Sequence, residues 1–369
     1  MEINRRQFLA AMGAALLLPA LGVQAANQPL RFASACEDES QQHWLLLFDG
    51  QGSVHLKHPL PGRAHHVAAH PTQPWLMAVA RRPDRFIELV NYQTGEQLTR
   101  IKSGPDRHFF GHAIFSADGR WLIATENHIP SSEGRVVVRD CLNGFEIIGD
   151  HPSYGIGPHE LLWLSDQRTL VVANGGIKTH PDKGRAKLNL DSMQPSLAYI
   201  DSHNGTLLEQ AMLPSELHQC SIRHMDINQH NQVAIAMQYQ GELYDSVPLI
   251  AMHQRGSAIQ TLQQPETVRQ RMKQYCGSAR FDRSGDYFAI SAPRGDLVTV
   301  WQRDGRFIDS IRVRDGCGLA ATAESGSFVF SSGNGNCYHY SVHNRKKRKL
   351  PAASERPLAW DNHMVSVIT

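Results

Sequence analysis

The chain has 369 residues, 41% hydrophobic and 20% charged, with 37 Lys and Arg against 35 Asp and Glu for a formal net charge of +2. That composition supplies a sizeable core, and its near-neutral balance excludes nucleic acid as the main partner, because neutralising phosphates takes a concentrated basic face. Beyond the N-terminus no apolar run approaches the roughly 20 residues that cross a bilayer, so the mature protein is expected to carry no membrane span.

The chain opens on what looks like an address. Asn4-Arg5-Arg6-Gln7-Phe8-Leu9 precedes an apolar run from Leu9 to Val23, and Val23-Gln24-Ala25 reads as a small-residue cleavage site. The paired arginines before Phe8-Leu9 resemble a twin-arginine export signal, with Asn4 where Ser or Thr is commoner. An ordinary secretory signal with two arginines in its basic region is the alternative. Either reading makes residues 1–25 a signal peptide and 26–369 a periplasmic domain. Six cysteines remain, none in a Cys-x-x-Cys pair, and their spacing fixes no disulfide connectivity.

After this leader, strands are expected at 31–36, 44–48 and 54–58, and then one phrase repeats. Its clearest copy is residues 111–124, a strand, a tight turn at Asp118-Gly119 and a second apolar strand. Worn copies begin at His66, Glu160, His224, Ser278 and Leu319, giving spacings of 46, 48, 64, 54 and 41 residues between equivalent positions. A period of about 40–50 residues with several short strands per unit is the mark of a β-propeller blade. Six whole blades fall near 65–102, 111–152, 158–213, 220–263, 276–313 and 316–350. The N-terminal unit lacks an opening strand and the C-terminus supplies one at 357–361 and 364–368, so joining the ends closes an all-β, seven-bladed ring. One short helix is expected within 265–275, and the basic run Arg345-Lys346-Lys347-Arg348-Lys349 reads as a solvated loop.

The blade at 158–213 carries an insertion at 174–189, with Lys178, Lys183, Arg185 and Lys187 beside the single acid Asp182. A loop this long inside a compact repeat is more often functional than not, and this one reads as an anion-binding or docking flap, or else as a solvated excursion. Lys178, His180, Arg185 and Lys187 are its candidate binding residues, with Arg63 and Arg223 beside the channel.

The first strand of each blade faces the central channel, so equivalent positions on successive blades form a ring. That ring holds His66, His112, Glu160 (with His159 beside it) and His224 on four consecutive blades, with His65 adjacent and Cys276 and Cys317 just before the equivalent positions on the next two. Imidazoles and a carboxylate converging on a funnel suit a transition metal, iron or copper being the expected ions. A Gly-His or Pro-His pair entering a strand also serves as a purely structural lock between blades. Pro158-His159-Glu160 offers a base and a carboxylate, as in lactonase-like propellers, but neighbours on a regular strand point to opposite faces and would not share one site. No nucleophile elbow, zincin helix, phosphate loop or haem motif is present, so catalysis has little sequence support.

The twin-arginine start, Gly111-His112-Ala113-Ile114-Phe115-Ser116, Gly155-Ile156-Gly157-Pro158-His159-Glu160, Asn174-Gly175-Gly176-Ile177-Lys178-Thr179-His180-Pro181 and Ser221-Ile222-Arg223-His224 together resemble an uncharacterised family of bacterial periplasmic proteins known as a domain of unknown function. The resemblance covers nearly all of the mature chain. Its members are often encoded beside imelysin-like iron-uptake proteins, which implies a role in periplasmic iron acquisition with such proteins as partners. It implies no catalytic residues. The expectation is therefore a propeller that binds a metal, or a metal-carrying partner, over its channel. A lactonase-like or oxidoreductase enzyme and an interaction scaffold are the alternatives.

Overall fold

A computed structural model describes residues 30–354 and 357–367; the expected signal peptide at 1–25 lies outside the described residues. The described chain folds into seven antiparallel four-stranded sheets, each a blade with its strands in sequence order from the axis outward. The exception is the first blade, whose inner strand is the C-terminal Leu358–Val367, paired with Arg31–Asp38. This closure leaves no inner edge open at the chain ends. Trp360 and Met364 of the closing strand are buried beside Phe48 and Leu46 in a core shared with the seventh blade. Among the described residues helix is confined to short pieces; Glu266–Arg271, the expected short helix, sits between the fifth and sixth blades.

Each blade buries both faces against its neighbours, so its middle strands are buried and largely apolar, as in Trp75–Ala80 and Thr169–Asn174. Outer strands alternate, and the last is wholly charged. The run expected as a loop at 345–349 instead contributes Lys346–Lys349 as the outer strand of the seventh blade, with all four side chains exposed. Its alternating neighbours give it a partner strand in Cys337–Ser341, while the lysines guard an open sheet edge against further pairing.

The detail that shapes the channel is a recurring irregularity. In six of the seven blades the inner strand slips register against the second strand. The residues left without a direct partner are 361–363, 65, 110–112, 159–160, 223 and 317–318. A bulge of this kind bends the strand and re-aims its side chains. At Gly111, φ is +98° and a Cβ would lie 2.8 Å from the His65 ring, so only glycine permits the turn that delivers His112.

Candidate metal centre

The bulge residues and their neighbours bring six imidazoles together near the axis. His65, His66, His112, His159, His224 and His363 come from five consecutive blades, and all are buried. His112 sits at their centre, with ring centroids 4.6 Å from His363, 4.7 Å from His66, 4.8 Å from His159, 5.0 Å from His65 and 5.6 Å from His224. Two groups have ligand atoms mutually within 4.8 Å: His65, His112, His159 and His224, and separately His66, His112 and Glu160.

The electrostatics explain why these rings stay neutral. Burial dominates for every one, followed for most by the pressure of neighbouring imidazoles and arginines. It holds His65 at about 4 and His66 at about 3, and keeps His112, His159 and His363 well below the usual imidazole value. His224 is also lowered, though the Glu160 carboxylate beside it works in the opposite direction. Neutral imidazole is the form that ligates metals.

Few of these nitrogens have a hydrogen-bond partner. Both nitrogens of His112, Nδ1 of His65, His66, His159 and His224, and Nε2 of His363 are buried without one. Two carboxylates approach the cluster. Asp361 Oδ1 lies 3.6 Å from His65 Nδ1, while its other oxygen accepts from Arg63 Nε. Burial alone would raise the Asp361 carboxyl, but His65 and Arg63 together hold it at about 2. Asp361 thereby faces one nitrogen of His65, whose other, Nε2, lies 3.4 Å from His159 Nε2. Glu160 divides its work: Oε2 accepts the Met225 backbone N–H at 2.9 Å and lies 3.5 Å from His224 Nδ1, and Oε1 lies 3.8 Å from His112 Nδ1. Thr125 Oγ1 donates to the His159 carbonyl at 2.9 Å, fixing the bulge of the fourth blade against the second strand of the third.

The structure thus brings together His66, His112, His159, Glu160 and His224, with two differences from the sequence reading. His65, not His66, joins the four-imidazole group. His159 and Glu160 both reach the cluster, although a regular strand would separate them, because the fourth-blade register breaks between Pro158 and Leu161. His363 was missed: it lies between the two segments read as the closing strand, where Asp361-Asn362-His363 forms the bulge of the first blade. Its signal was available, since a blade completed by the C-terminus owes the ring one residue from that segment. Cys276 and Cys317 stand outside both groups, their thiols directed at the carbonyls of Leu249 and Asp315.

The flap is the 175–195 connection, longer than the expected 174–189, and it lies at the end of the channel where the inner strands begin. Gly175 packs where a Cβ would meet Ser221 Oγ at 2.8 Å, and Asn189 closes the loop base by accepting from Lys178 N and donating to Gly176 O. Lys178, Arg185 and Lys187 are exposed, whereas His180 folds back to accept from Asp182 N. Arg223 is half-buried, and burial with Arg82 and Arg81 nearby lowers it to about 10 despite an opposing pull from Tyr275. Arg63 is neutralised by Asp361. At the far end of the channel a recess of about 350 Å³ is lined by Asp226, Arg280 and Asp282, but Asp226 is committed to the Phe281 backbone N–H.

Comparison with known proteins places the chain. A family model described as "Protein of unknown function (DUF1513)" matches residues 58–367. Among solved structures, hydrazine synthase from Kuenenia stuttgartiensis is similar with a TM-score of 0.60 at 14% identity, covering 84% of this chain and 90% of that one. At that identity the likeness is one of fold. No curated protein matches the sequence.

Proposed function

The chain belongs to the DUF1513 family, and we propose that it is a metal-binding propeller whose channel histidines hold one first-row transition ion, iron or copper. The observation that carries this reading is the set of buried, neutral and unpartnered imidazole nitrogens converging on one point. Metal–nitrogen bonds of about 2.0–2.1 Å in a tetrahedral site separate two nitrogens by about 3.3 Å, and the His65–His159 pair stands at 3.4 Å. Asp361 behind His65 is the carboxylate that characteristically orients a ligating imidazole and raises its basicity. His65, His112, His159 and His224 are the proposed ligands, with Glu160, His66 and His363 close enough to complete or exchange in the set.

The finer reading is a periplasmic protein of iron acquisition. Arg5-Arg6 before Phe8-Leu9 supports export by the twin-arginine route, which carries proteins already folded around their metal. The resemblance to proteins encoded beside imelysin-like iron-uptake proteins supports the pathway and the partner. Elemental analysis of protein purified from the periplasm is the test, with loading by Fe(II), Cu(II) and Zn(II) where the isolated ion is sub-stoichiometric. One equivalent of metal, lost in His112→Ala/His159→Ala without loss of fold, is expected. Metal-free protein that also refuses all three ions in titration overturns the reading. Export unchanged in an Arg5→Lys/Arg6→Lys precursor would remove the twin-arginine element alone.

A further inference from the structure

Above the histidines, at the flap end of the channel, the fold assembles positive charge that ion pairs leave almost unmatched. Arg81 and Arg82 follow the second strand of the second blade, Arg223 is the bulge residue of the fifth, Arg294 turns the sixth, and the flap of the fourth brings Arg185 and Lys187. The flap reaches across the third blade, where Arg82 Nη1 donates to Thr179 Oγ1 at 2.7 Å and the Arg82 guanidinium lies 5.8 Å from the Phe110 ring centroid. On the other side Ser221 Oγ donates to the Gly175 carbonyl at 2.7 Å and accepts from Arg223 Nε at 3.1 Å. These contacts anchor the loop on both the second and the fifth blades, over the channel mouth.

Among the described residues, Arg82, Arg185, Lys187, Arg223 and Arg294 form no ion pair with a carboxylate, and Arg81 has only Asp361 at 3.8 Å, which Arg63 already engages. They also crowd one another: Arg185 and Arg81 press on Arg82, and Arg223 and Arg294 press on Lys187. The chain as a whole has only two more basic than acidic residues, 37 against 35, so this concentration is local. Like charges gathered in a partly desolvated mouth cost stability unless an anion sits among them, and guanidinium forks match carboxylate and phosphate oxygens.

We propose that this cationic collar is a binding site for a small oxyanion, a di- or tricarboxylate of the kind that chelates metal ions, held between the flap and the histidine cluster. The collar is complete without a metal, so the anion site stands on its own geometry; that the anion arrives as a metal chelate rests on the metal-binding reading above. Citrate is the probe, titrated calorimetrically into metal-free protein, with inorganic phosphate as a second arm. Micromolar to sub-millimolar citrate binding that weakens with added salt is expected. Arg82→Gln/Lys187→Gln, which touches no proposed metal ligand, should weaken citrate at least tenfold while the protein stays folded with unchanged metal stoichiometry. No binding of citrate or phosphate at millimolar concentration, or equal citrate affinity in the double variant, overturns the proposal. Phosphate binding without citrate binding overturns the carboxylate assignment. Citrate binding by a protein that takes up no metal leaves the collar standing and removes the metal centre instead.

Discussion

Lowering the pH of metal-free protein from 7 to 5 should destabilise it steeply, through the channel histidines. Burial keeps His65 at about 4 and His66 at about 3 in the folded state, while in the unfolded chain an imidazole protonates near 6.5. The folded pKa is the lower one, so above about 6.5 neither state is protonated and stability is complete. Below it the unfolded chain takes up protons that the folded chain refuses, and stability falls until the pH reaches the folded values. At pH 5 the gap to 6.5 is about 1.5 units, worth about 2 kcal/mol for each ring at about 1.36 kcal/mol per unit. His65 and His66 together then cost about 4 kcal/mol, and His112, His159 and His363 add to the loss in the same direction. Against a typical total of 5–15 kcal/mol this should bring the protein close to unfolding. Denaturant titrations followed by tryptophan fluorescence at pH 7, 6 and 5 measure the effect. His66→Gln removes one titrating ring and should recover about 2 kcal/mol of the difference at pH 5. Equal unfolding midpoints at pH 7 and pH 5 would refute the buried, neutral cluster.

Three further outcomes follow from the same geometry. Metal affinity of the folded protein should stay nearly flat from pH 7 to about 5, because His65 and His66 remain unprotonated there; a loss beginning at 6.5 in a competition titration would show solvent-accessible ligands. Trp360→Ala should cost about 3–5 kcal/mol, since Trp360 is buried on the closing strand 5.0 Å from the Phe48 ring; an unchanged melting temperature would mean the closing strand carries no core. All six thiols are buried, and burial pushes Cys36, Cys141, Cys220 and Cys337 up to about 12, so a disulfide reagent at pH 8 should label native protein negligibly and denatured protein fully.

The blades were legible in the sequence because their signal is local. Turn pairs such as Asp118-Gly119 and apolar middle strands such as Trp75–Ala80 depend only on near neighbours, and the repeat then fixes the ring. Even the closure could be read, because a first unit short of one strand needs the last segment. The histidine ring was legible as a set but not in its sorting. Alternation along a regular strand puts His65 and His66, or His159 and Glu160, on opposite faces, and the register slips after Ala64 and Pro158 break that rule. A bulge is set by pairing with a strand distant in sequence, so its position is invisible in the inner strand alone. The closing segment owed the ring a residue, but the hidden bulge at 361–363 concealed that it was His363. The basic run at 345–349 misled differently: charge argues for solvent, and an exposed outer strand is as solvated as a loop.

The contrast between two kinds of histidine in this protein supports the proposed site over a structural lock for the channel set. His70 is a lock: its Nε2 meets the Gly119 carbonyl at 2.9 Å and its Nδ1 accepts from Gln73 N at 3.0 Å, so both nitrogens are occupied and the second and third blades are joined. His253 is another, held between the Tyr199 hydroxyl at 2.6 Å and the Ser257 carbonyl at 3.0 Å. The channel rings are buried as well, but leave at least one nitrogen each without a partner. An unsatisfied buried polar group costs about 1–3 kcal/mol, so each unpartnered nitrogen is a burden on the fold. The ring does not require it: the sixth and seventh blades build the same inner strand from Ser278, Ala279, Cys317 and Leu319, small or apolar residues. Five adjacent blades carrying imidazole where two manage without it describe a one-sided constellation, not a repeated packing device. A ligand that accepts lone pairs from several of these nitrogens at once would remove that burden and explain the asymmetry, as the proposed metal ion would.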